Sequence, residues 1–416
     1  MAERNPESLV FPVPGSPAGD WLTAKLREGA QKMLAVAVEE EVGEYLTARR
    51  HLRDPAGRQQ VVRNGHLPTR EILTGVGSIE VRQPRVRDRR EPPQREKFTS
   101  KLLPPYLRKT KNLEELIPWL YLKGISTGDM GEALQALVGP EAAGLSASTV
   151  TRLKEVWEQE FKAWRSRSLE GKKYVYLWAD GVHFNLRLEE DRLCVLVLIG
   201  ATADGTKELI AVADGYRESE QSWSALLLDV KSRGLNVDPK LATGDGALGF
   251  WAALRKVFPK TREQRCWVHK SANVLDQLPK RLQPEALDKL HQIWMAPTQK
   301  AAREAFDLFG KTYGAKYPAA VERLTKDRDV LLTFYDFPAE HWAHLRTTNP
   351  IESTFATVRL RHDKTRNNGS RIACLTMVFK LLENAAKTWR KLNGSNLLPA
   401  VVAGAIYEDG IQKVAA

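Results

Sequence analysis

Apolar positions near the start of the chain recur at helical spacing. Leu26, Leu34, Val38 and Val42 fall on one side of a helix predicted over about residues 21–50. Such a face packs on its own domain or on a second copy of the chain. The preceding residues 1–18 are polar and proline-rich, and we expect them to form a flexible tail.

Shorter apolar runs and turn residues follow this helix. Two runs, Ile72–Leu73 and Ile79–Val81, flank a turn-prone segment and predict a small β-hairpin. From Gln83 to Pro93, proline is interspersed with arginine, which predicts an extended and exposed arm. The helix, the hairpin and the arm together define a first region, residues 19–110.

The pattern between residues 111 and 167 is helical. Helices are predicted at 112–122, at 127–137 and from residue 146 onward, with a glycine-containing turn before the last. This resembles a helix-turn-helix, whose second helix presents its first residues to the major groove of DNA. Ser148, Thr149 and Arg152 occupy that position. Most helix pairs with a glycine turn bind no DNA, so the pattern alone leaves a purely structural interpretation open.

From residue 172, runs typical of strands alternate with runs typical of helices. Strands are predicted at 174–180, 182–188, 193–202, 240–243 and 265–268, with residues 208–212 extending or following the third, and helices at 218–233 and 247–257. The Asp180-Gly181 dipeptide is interpreted as a hairpin-type turn between the first two strands. Three strands, a helix, a strand, a helix and a strand form the order of the ribonuclease H-like fold. The predicted fold class is therefore α/β, a mixed sheet with helices on its faces, preceded by a mainly helical N-terminal region.

The remaining residues complete this predicted core in two pieces. The stretch 270–345 contains helical patterns and is too long for a loop, so it is interpreted as an all-α insertion. The core then comprises residues 172–269 and 346–395, the second piece with helices near 350–361 and 372–392. Residues 396–416 are expected to form a C-terminal tail.

Two aspartates stand at matched positions of the predicted sheet. Asp180 ends the first strand and Asp245 follows the fourth, and in this fold order those two strands are neighbours. Taken singly, an Asp-Gly pair after a strand is an ordinary turn. Taken together, two carboxylates at one sheet edge repel each other unless a cation lies between them. Carboxylate oxygens suit Mg²⁺ or Mn²⁺.

Glu352 is the candidate for a third carboxylate. It falls in the first turn of a helix that Asn349 is expected to cap, with Pro350 at the first helical position. The helix dipole alone also favours an acid there. The surrounding basic residues, however, suit contacts with phosphates and so favour a nuclease site. They are Arg346, Arg359, Arg361, His362, Lys364, Arg366 and Arg371.

Basic charge is concentrated in the first region. The chain has a net charge of +12, and residues 51–110 hold 14 Lys/Arg against 6 Asp/Glu, a net of +8. This clustering favours a nucleic-acid partner over a merely solvated basic surface. The residues of the predicted arm that are expected to contact DNA are Arg82, Arg85, Arg87, Arg89 and Arg90.

Composition disfavours several other classes of protein. Hydrophobic residues make up 43% of the chain, enough for sizeable cores. The longest apolar run, residues 193–203, is too short to span a membrane, and the first residues lack the pattern of a signal peptide. Three widely separated cysteines fit a reducing compartment. The expected location is the cytoplasm, in association with the nucleoid.

Four short motifs, in order, resemble those of the Mutator-type transposases of bacterial insertion sequences. They are Trp178–Val182, Gly244–Ala247, Cys266–His269 and Thr348–Ser353. The spacings also fit, with 65 residues from Asp180 to Asp245 and 107 from Asp245 to Glu352. Before Ala179 an acidic or small residue is expected, whereas this chain has Trp178; the departure leaves the three carboxylates in place.

The resemblance implies a DDE transposase in which Asp180, Asp245 and Glu352 are catalytic and bind the metal. Such an enzyme binds the terminal inverted repeats of its insertion sequence and catalyses DNA strand cleavage and strand transfer. Two Mg²⁺ or Mn²⁺ ions are implied as cofactors. The implied partners are double-stranded DNA, both element ends and target, and further copies of the chain in a homodimer or larger homo-oligomer.

Cys266 and His269 form a Cys-x-x-His pair that invites comparison with zinc sites. A structural zinc site needs four ligands, and no second pair lies nearby in the sequence, so no zinc is expected. The resemblance instead implies that both residues shape the site near Asp245, with Asn349 doing so at the start of the Glu352 helix.

Two other functions remain open at this point. A ribonuclease H-like nuclease without transposition, such as a junction resolvase, would have no use for the long basic N-terminal region and the large insertion. A non-catalytic DNA-binding protein derived from a transposase would have no need to retain all three carboxylates.

Overall fold

The computed structural model describes residues 17–123, 125, 129–138, 147–186, 192–215, 217–246, 248–364 and 370–413. The chain forms two compact units, Met1–Thr151 and Arg152–Ala416. Of the predicted tail, residues 1–18, the first sixteen lie outside the described residues, and residues 17 and 18 begin the first helix. Among the described helices, none combines the length and the apolar character needed to cross a membrane.

The first unit begins with a long helix that packs on small β-ladders. Its elements are α1 (Pro17–Ala48), β1 (Val61–His66), β2 (Arg70–Thr74), β3 (Gly77–Val81) and β4 (Pro84–Asp88). The predicted hairpin is confirmed, because β2 and β3 pair antiparallel with Ile72 opposite Ile79. These two isoleucines pack with Val38 of α1 in a small core, whereas Leu26, on the same predicted face, stays 53% exposed.

The predicted exposed arm is only partly correct, because part of it is a paired strand. Its first half forms β4, which pairs antiparallel with β1, and Pro84 is the first strand residue, where a missing N–H is tolerated. Asp88 is buried and accepts hydrogen bonds from the backbone nitrogens of Arg90 and Glu96 and from the Arg90 guanidinium. These bonds fold the arginine-rich segment back onto its own unit.

Three helices follow the β-ladders: α2 (Lys111–Leu122), α3 (Met130–Val138) and α4 (Ala147–Arg165). They agree with the predicted helices within a few residues. The predicted turn between the last two helices, residues 139–146, lies outside the described residues, so the helix-turn-helix stays a prediction. Phe161 and Trp164, near the end of α4, pack on Phe379 with ring centroids 5.2 and 4.8 Å apart.

The second unit contains a mixed five-stranded sheet with the order β7-β6-β5-β8-β9. Its elements are β5 (Tyr174–Phe184), β6 (Leu193–Thr202), β7 (Lys207–Gly215), α5 (Glu220–Ser232), β8 (Leu241–Gly244), α6 (Leu248–Val257) and β9 (Arg262–Arg265). β5 is antiparallel to β6 and parallel to β8, and β8 is parallel to β9. The mixed sheet and the adjacency of the first and fourth strands are therefore as predicted.

Two details of the predicted sheet are wrong. No turn interrupts β5 at Asp180-Gly181, because Gly181 and His183 continue the ladder opposite Leu196 and Cys194 of β6. The two strands predicted at 174–180 and 182–188 are thus one, and Lys207–Gly215 is the third strand of the sheet. The strand predicted at 265–268 is instead the end of β9 followed by a helix that starts at Trp267.

The predicted all-α insertion consists of short helices. They are α7 (Trp267–Leu275), α8 (Gln283–Trp294), α9 (Gln299–Tyr313), α10 (Pro318–Thr325), α11 (Arg328–Leu331) and α12 (Trp342–Leu345), with single 3₁₀ turns at Lys280–Leu282, Thr333–Asp336 and Ala339–His341. Next come α13 (Asn349–Lys364) and α14 (Arg371–Ala386), close to the predicted final helices.

The predicted C-terminal tail is folded. It contains a 3₁₀ turn (Ser395–Leu397), α15 (Leu398–Ala403) and a two-residue ladder of β10 (Tyr407–Glu408) with β11 (Ile411–Gln412). Leu398, Val401 and Tyr407 are buried, and the backbone of Gly410 bonds to that of Ala339 and Tyr335. Burial of these apolar side chains explains why the segment packs on the second unit.

Candidate active site

Asp180 lies in the middle of β5 and is only 6% exposed. Its Oδ1 accepts a hydrogen bond of 2.8 Å from the backbone nitrogen of Gly181. Burial, with the negative charges of Glu218 and Asp245, raises the pKa of Asp180 to about 7, although the charge of His269 and the hydrogen bond from Gly181 lower it. The surroundings of Asp180 therefore disfavour the ionised form of its carboxyl group.

Asp245 directly follows β8. The last residue of that strand, Gly244, pairs with Ala179 in the parallel ladder, so Asp180 and Asp245 each come one residue after this pair. The backbone oxygen of Asp245 accepts a hydrogen bond of 3.0 Å from Trp251 Nε1, which attaches the residue to α6. Parallel pairing thus brings the two predicted carboxylates to one edge of the sheet.

Glu352 lies in the first turn of α13, where Thr348 Oγ1 donates a 2.7 Å hydrogen bond to its Oε1. The predicted cap is corrected: α13 begins at Asn349, which is exposed, and the carbonyl of Thr348 accepts from Glu352 N at 3.1 Å. Thr348, not Asn349, therefore occupies the capping position.

The segment before α13 is attached to the two strands that bear the aspartates. Trp178 Nε1 of β5 donates to the carbonyl of His344 at 2.9 Å, and Thr243 Oγ1 of β8 donates to that of Leu345 at 2.8 Å. Trp178, the residue that departs from the expected motif, is thus a buried anchor. These bonds fix the start of α13 relative to the sheet.

Cys266 and His269 connect the end of β8 to the start of α13. Cys266 N donates to the carbonyl of Gly244 at 2.8 Å, and its Sγ accepts from the nitrogen of Thr348 at 3.3 Å and lies 3.3 Å from the Thr348 hydroxyl. His269 Nδ1 lies 3.5 Å from Glu352 Oε1. Burial lowers the pKa of His269, but Cys266 and the two aspartates outweigh it and raise that pKa to about 9.

The donor atoms of Cys266, His269 and Glu352 lie within 4.8 Å of one another. The sequence argument against zinc counted only the Cys-His pair, and the fold adds a carboxylate to it. Three donors still fall short of the four that structural zinc sites use. The expectation of no zinc stays a prediction.

Glu218 is a further carboxylate that the sequence did not reveal, and its donor atom lies within 4.8 Å of those of His183 and Cys194. It precedes Ser219, the N-cap of α5, and looks there like an ordinary acid near a helix start. Its side chain is 20% exposed, and His183 Nε2 lies 3.5 Å from Oε1. Burial and the charge of Asp245 raise the pKa of Glu218 to about 7. The property that distinguishes Glu218 from other acids near a helix start is the burial of its side chain. Burial cannot be deduced from one sequence.

Two arginines predicted to contact DNA near Glu352 have structural roles instead. Arg361 is 1% exposed, inside the unit. Arg346 is half-buried; its guanidinium donates to the carbonyl of Trp294 and lies 3.4 Å from Met295 Sδ, and burial lowers its pKa. Arg359 is exposed. The side chain of Lys364 and all of Arg366 lie outside the described part of the chain.

The basic residues of the first unit divide in the same way. Arg90 is held by Asp88 at 2.7 Å and is mostly buried, so it is not available in the predicted manner. Four arginines on and beside β4 are exposed, namely Arg82, Arg85, Arg87 and Arg89. Arg152 of α4 is exposed, whereas the side chains of Ser148 and Thr149 are outside the described part.

Comparison with known proteins gives consistent matches. The family described as "Transposase, Mutator family" matches residues 21–392. The transposase for insertion sequence element IS6120 of Mycolicibacterium smegmatis is 53% identical over 298 residues, which cover 72% of this chain and 92% of that protein. The transposase for IST2 of Acidithiobacillus ferrooxidans is 50% identical over 289 residues, 68% of this chain and 95% of that protein. The transposase for ISRM5 of Rhizobium meliloti is 27% identical over 370 residues, 88% of this chain and 89% of that protein.

Proposed function

Because the chain belongs to the Mutator family of transposases, we propose that it binds the terminal repeats of an insertion sequence and catalyses Mg²⁺-dependent cleavage and transfer of DNA strands. The proposed catalytic residues are Asp180, Asp245 and Glu352, on a sheet that we interpret as ribonuclease H-like. One observation carries the proposal: Asp180 within β5 and Asp245 after β8 each follow the paired residues Ala179 and Gly244 of adjacent parallel strands, and Cys266 and Thr348 attach the Glu352 helix to that point.

The donor chemistry of the site fits a divalent metal ion. Asp180 is 6% exposed, and no ion pair between it and a Lys or Arg is found among the described residues. Carboxylates gathered without Lys or Arg partners are stabilised by a hard cation with oxygen ligands. When bound, Mg²⁺ activates the attacking oxygen and stabilises the leaving oxygen of a phosphodiester.

The protein's own groups orient these carboxylates. The Thr348 hydroxyl fixes one oxygen of Glu352, and the charge of His269 lies beside the same oxygen. The Gly181 backbone fixes one oxygen of Asp180. Held side chains cost less entropy to bring to a reacting phosphate than mobile ones, which supports positioning as their contribution.

We assign recognition of the element's ends to the chain N-terminal to about residue 170, which comprises the first unit and α4. The exposed arginines on and beside β4 suit phosphate contacts, and Arg85, Arg87 and Arg89 recur every second residue along one strand face. The first turns of α4, with Ser148, Thr149 and Arg152, are proposed to read base edges. Phosphate contacts supply affinity, and base contacts supply discrimination.

A cleavage and strand-transfer assay on DNA that carries the element's ends tests the proposal. The wild type should cleave in Mg²⁺ but not in EDTA, and Asp180→Asn, Asp245→Asn and Glu352→Gln should each abolish cleavage while DNA binding persists. Asp307→Asn, which removes an exposed carboxylate of α9, should retain activity.

The alternatives predict other results in the same assay. Cleavage without preference for the element's ends and without strand transfer would indicate a ribonuclease H-like nuclease. Binding to the ends without any cleavage would indicate a non-catalytic protein. A triad variant with near wild-type cleavage would remove that residue from the proposed site.

A further inference from the structure

We propose that His183, Cys194 and Glu218 form a binding site for a borderline-soft divalent ion such as Zn²⁺ or Co²⁺, with water as the fourth ligand. The site goes beyond the proposed function, because it uses none of the three carboxylates assigned to the Mg²⁺ centre. Its donors are an imidazole nitrogen, a thiol sulfur and a carboxylate oxygen, and these three atoms lie within 4.8 Å of one another. Nitrogen and sulfur donors favour zinc-type ions over Mg²⁺.

Strand pairing places the first two donors side by side. His183 of β5 lies directly opposite Cys194 of β6 in the antiparallel ladder, so both side chains project from the same face of the sheet. That face is covered by α5, since Cys194 and Trp223 of this helix belong to one buried core. Successive residues of a strand point to opposite faces, so Asp180 projects from the other side of β5. The proposed ion and the Mg²⁺ centre therefore belong to different faces of the sheet.

Two glycines allow Glu218 to approach the same face closely. A Cβ built on Gly181 would lie 2.6 Å from both Cδ and Oε1 of Glu218, so the carboxylate lies over β5 two residues before His183. A Cβ on Gly249, in the first turn of α6, would lie 2.5 Å from the carbonyl oxygen of Glu218. The segment that carries the third donor is thus packed against both β5 and α6, with glycine at each point of close approach.

The spacing of the donors suits a tetrahedral ion. Ligand atoms about 2.0–2.3 Å from such an ion lie roughly 3.3–3.6 Å from one another. His183 Nε2 and Glu218 Oε1 are 3.5 Å apart. Cys194 is fully buried, whereas the side chains of Glu218 and His183 are 20% and 39% exposed, so the cluster reaches solvent on the histidine side. Three protein ligands with one open position leave room for a bound water.

An ion pair between His183 and Glu218 is the alternative explanation of their contact. Among the described residues, His183 is the one ion-pair contact found for Glu218. An ion pair involves two of the three donors and leaves Cys194 as a protonated thiol of the core. A bound ion engages all three donors and requires the thiolate. The ionisation of Cys194 in the presence of metal therefore distinguishes the two explanations.

The local fold does not require the ion. The strand ladder joins His183 to Cys194, and Ser219 caps α5 by accepting a hydrogen bond of 3.2 Å from Ser222 N. The ion is therefore exchangeable, and chelation should leave the protein folded. The three ligands come from β5, β6 and the segment before α5, so they form no short sequence motif of the kind that Cys266-x-x-His269 represents.

Titration of the full-length protein with CoCl₂, followed by absorption spectroscopy, tests the inference without DNA or activity. One Co²⁺ per chain should give a thiolate-to-cobalt charge-transfer band, and Zn²⁺ but not Mg²⁺ should displace that ion. Cys194→Ser should abolish the band. Asp180→Asn should keep it, because the carboxylates of the Mg²⁺ centre supply no thiolate and Asp180 lies on the opposite face of β5.

Two further variants test the other ligands. His183→Gln and Glu218→Gln should each weaken Co²⁺ binding at least roughly 10-fold, since even loss of a partner of a metal ligand has an effect of this size. Both side chains are partly exposed, so these variants still test the site if Cys194→Ser fails to fold. Glu220→Gln, at a 44% exposed carboxylate, and His291→Gln, at an exposed histidine, are the matched controls and should bind as the wild type does.

Three results would overturn the inference. The first is the absence of a charge-transfer band at saturating Co²⁺. The second is a band that persists in Cys194→Ser and disappears in Cys266→Ser, which would assign the ion to the cysteine beside the Glu352 helix. The third is wild-type affinity in His183→Gln or Glu218→Gln.

Discussion

At the scale of single residues, Thr348 is the least expected member of the site. Its hydroxyl lies 2.7 Å from Glu352 Oε1 and 3.3 Å from Cys266 Sγ, and its backbone caps α13. A threonine before Asn-Pro looks like an ordinary helix start in the sequence. The Thr348 side chain is fully buried, and its hydrogen bond determines the orientation of the Glu352 carboxylate.

Replacing Thr348 by valine should therefore slow DNA cleavage roughly 10- to 100-fold, the range typical for loss of a partner of a metal ligand. Valine keeps the shape but cannot donate to Glu352. Single-turnover cleavage rates at saturating Mg²⁺ measure the effect. Thr347→Val is the matched control, because Thr347 Oγ1 contacts Asn349 N at 3.4 Å and not Glu352. Equal rates for both variants would mean that Glu352 needs no orientation by Thr348.

The Cys266–His269 pair yields a second prediction at this scale. Removal of zinc with a chelator should leave the melting temperature unchanged, because the pair is held by Gly244 and Thr348 through hydrogen bonds that need no metal. Elemental analysis of the purified protein checks this directly. One zinc per chain, together with unfolding on chelation, would contradict this prediction.

At the scale of elements, His341 ties β5 to the segment that leads into α13. It is fully buried, with Nδ1 2.8 Å from Tyr176 Oη and Nε2 2.9 Å from the carbonyl of Gly394. A carbonyl only accepts, so Nε2 carries the proton and Nδ1 accepts from the tyrosine. The neutral imidazole satisfies both contacts, and burial lowers the pKa of His341 from its usual 6.5.

The lowered pKa predicts a loss of stability in acid. The unfolded chain takes up a proton at His341 near pH 6.5, while the folded chain resists it until lower pH. Its stabilising effect is therefore present above about pH 6.5 and is lost as pH falls through the folded pKa. Thermal melting across this range should show a shallower decline for His341→Gln than for the wild type. His291→Gln, at an exposed position on α8, should leave the slope unchanged.

The elements also show what the sequence can and cannot predict. Apolar runs predicted the central strands and the strand order, since β6 is buried along almost its whole length. The same patterns misplaced a turn at Asp180-Gly181, because Asp-Gly has turn propensity and nothing local reveals that β6 continues the ladder. Glu218 was missed because its closeness to Gly181 depends on how α5 and α6 pack, which is a long-range property.

Arginine positions illustrate the same limit. Charge clustering could not distinguish Arg87, which is exposed, from Arg90, which Asp88 holds. It likewise could not distinguish Arg359 on the surface from Arg361 in the interior, two residues along one helix. Helical spacing of 3.6 residues places these two on different faces, and only the packing of α13 decides which face is buried.

At the scale of the whole molecule, charge and chemistry are assigned to different parts of the chain. The excess of basic residues lies in residues 51–110, whereas the carboxylates lie in the second unit. Affinity for DNA and cleavage of DNA should therefore respond to different substitutions. The salt dependence of binding is the property that separates nonspecific phosphate contacts from base contacts.

Replacing Arg85 and Arg87 by glutamine in the full-length chain should weaken binding to all DNA sequences alike. Each lost phosphate contact should reduce the slope of log affinity against log salt by about 0.9. Arg152→Gln should instead narrow the difference in affinity between terminal-repeat and random DNA, since one good base contact contributes about 1–3 kcal/mol of discrimination. Gel-shift titrations at several salt concentrations measure both quantities.

The control variant, Lys300→Gln with Lys311→Gln, removes the same number of positive charges from two exposed positions on α9. It should change neither the salt slope nor the discrimination. If the β4 arginines alter discrimination and Arg152 alters the salt slope, the roles assigned to the strand and the helix are reversed. If none of these changes matters, the ends are recognised by residues 171–416.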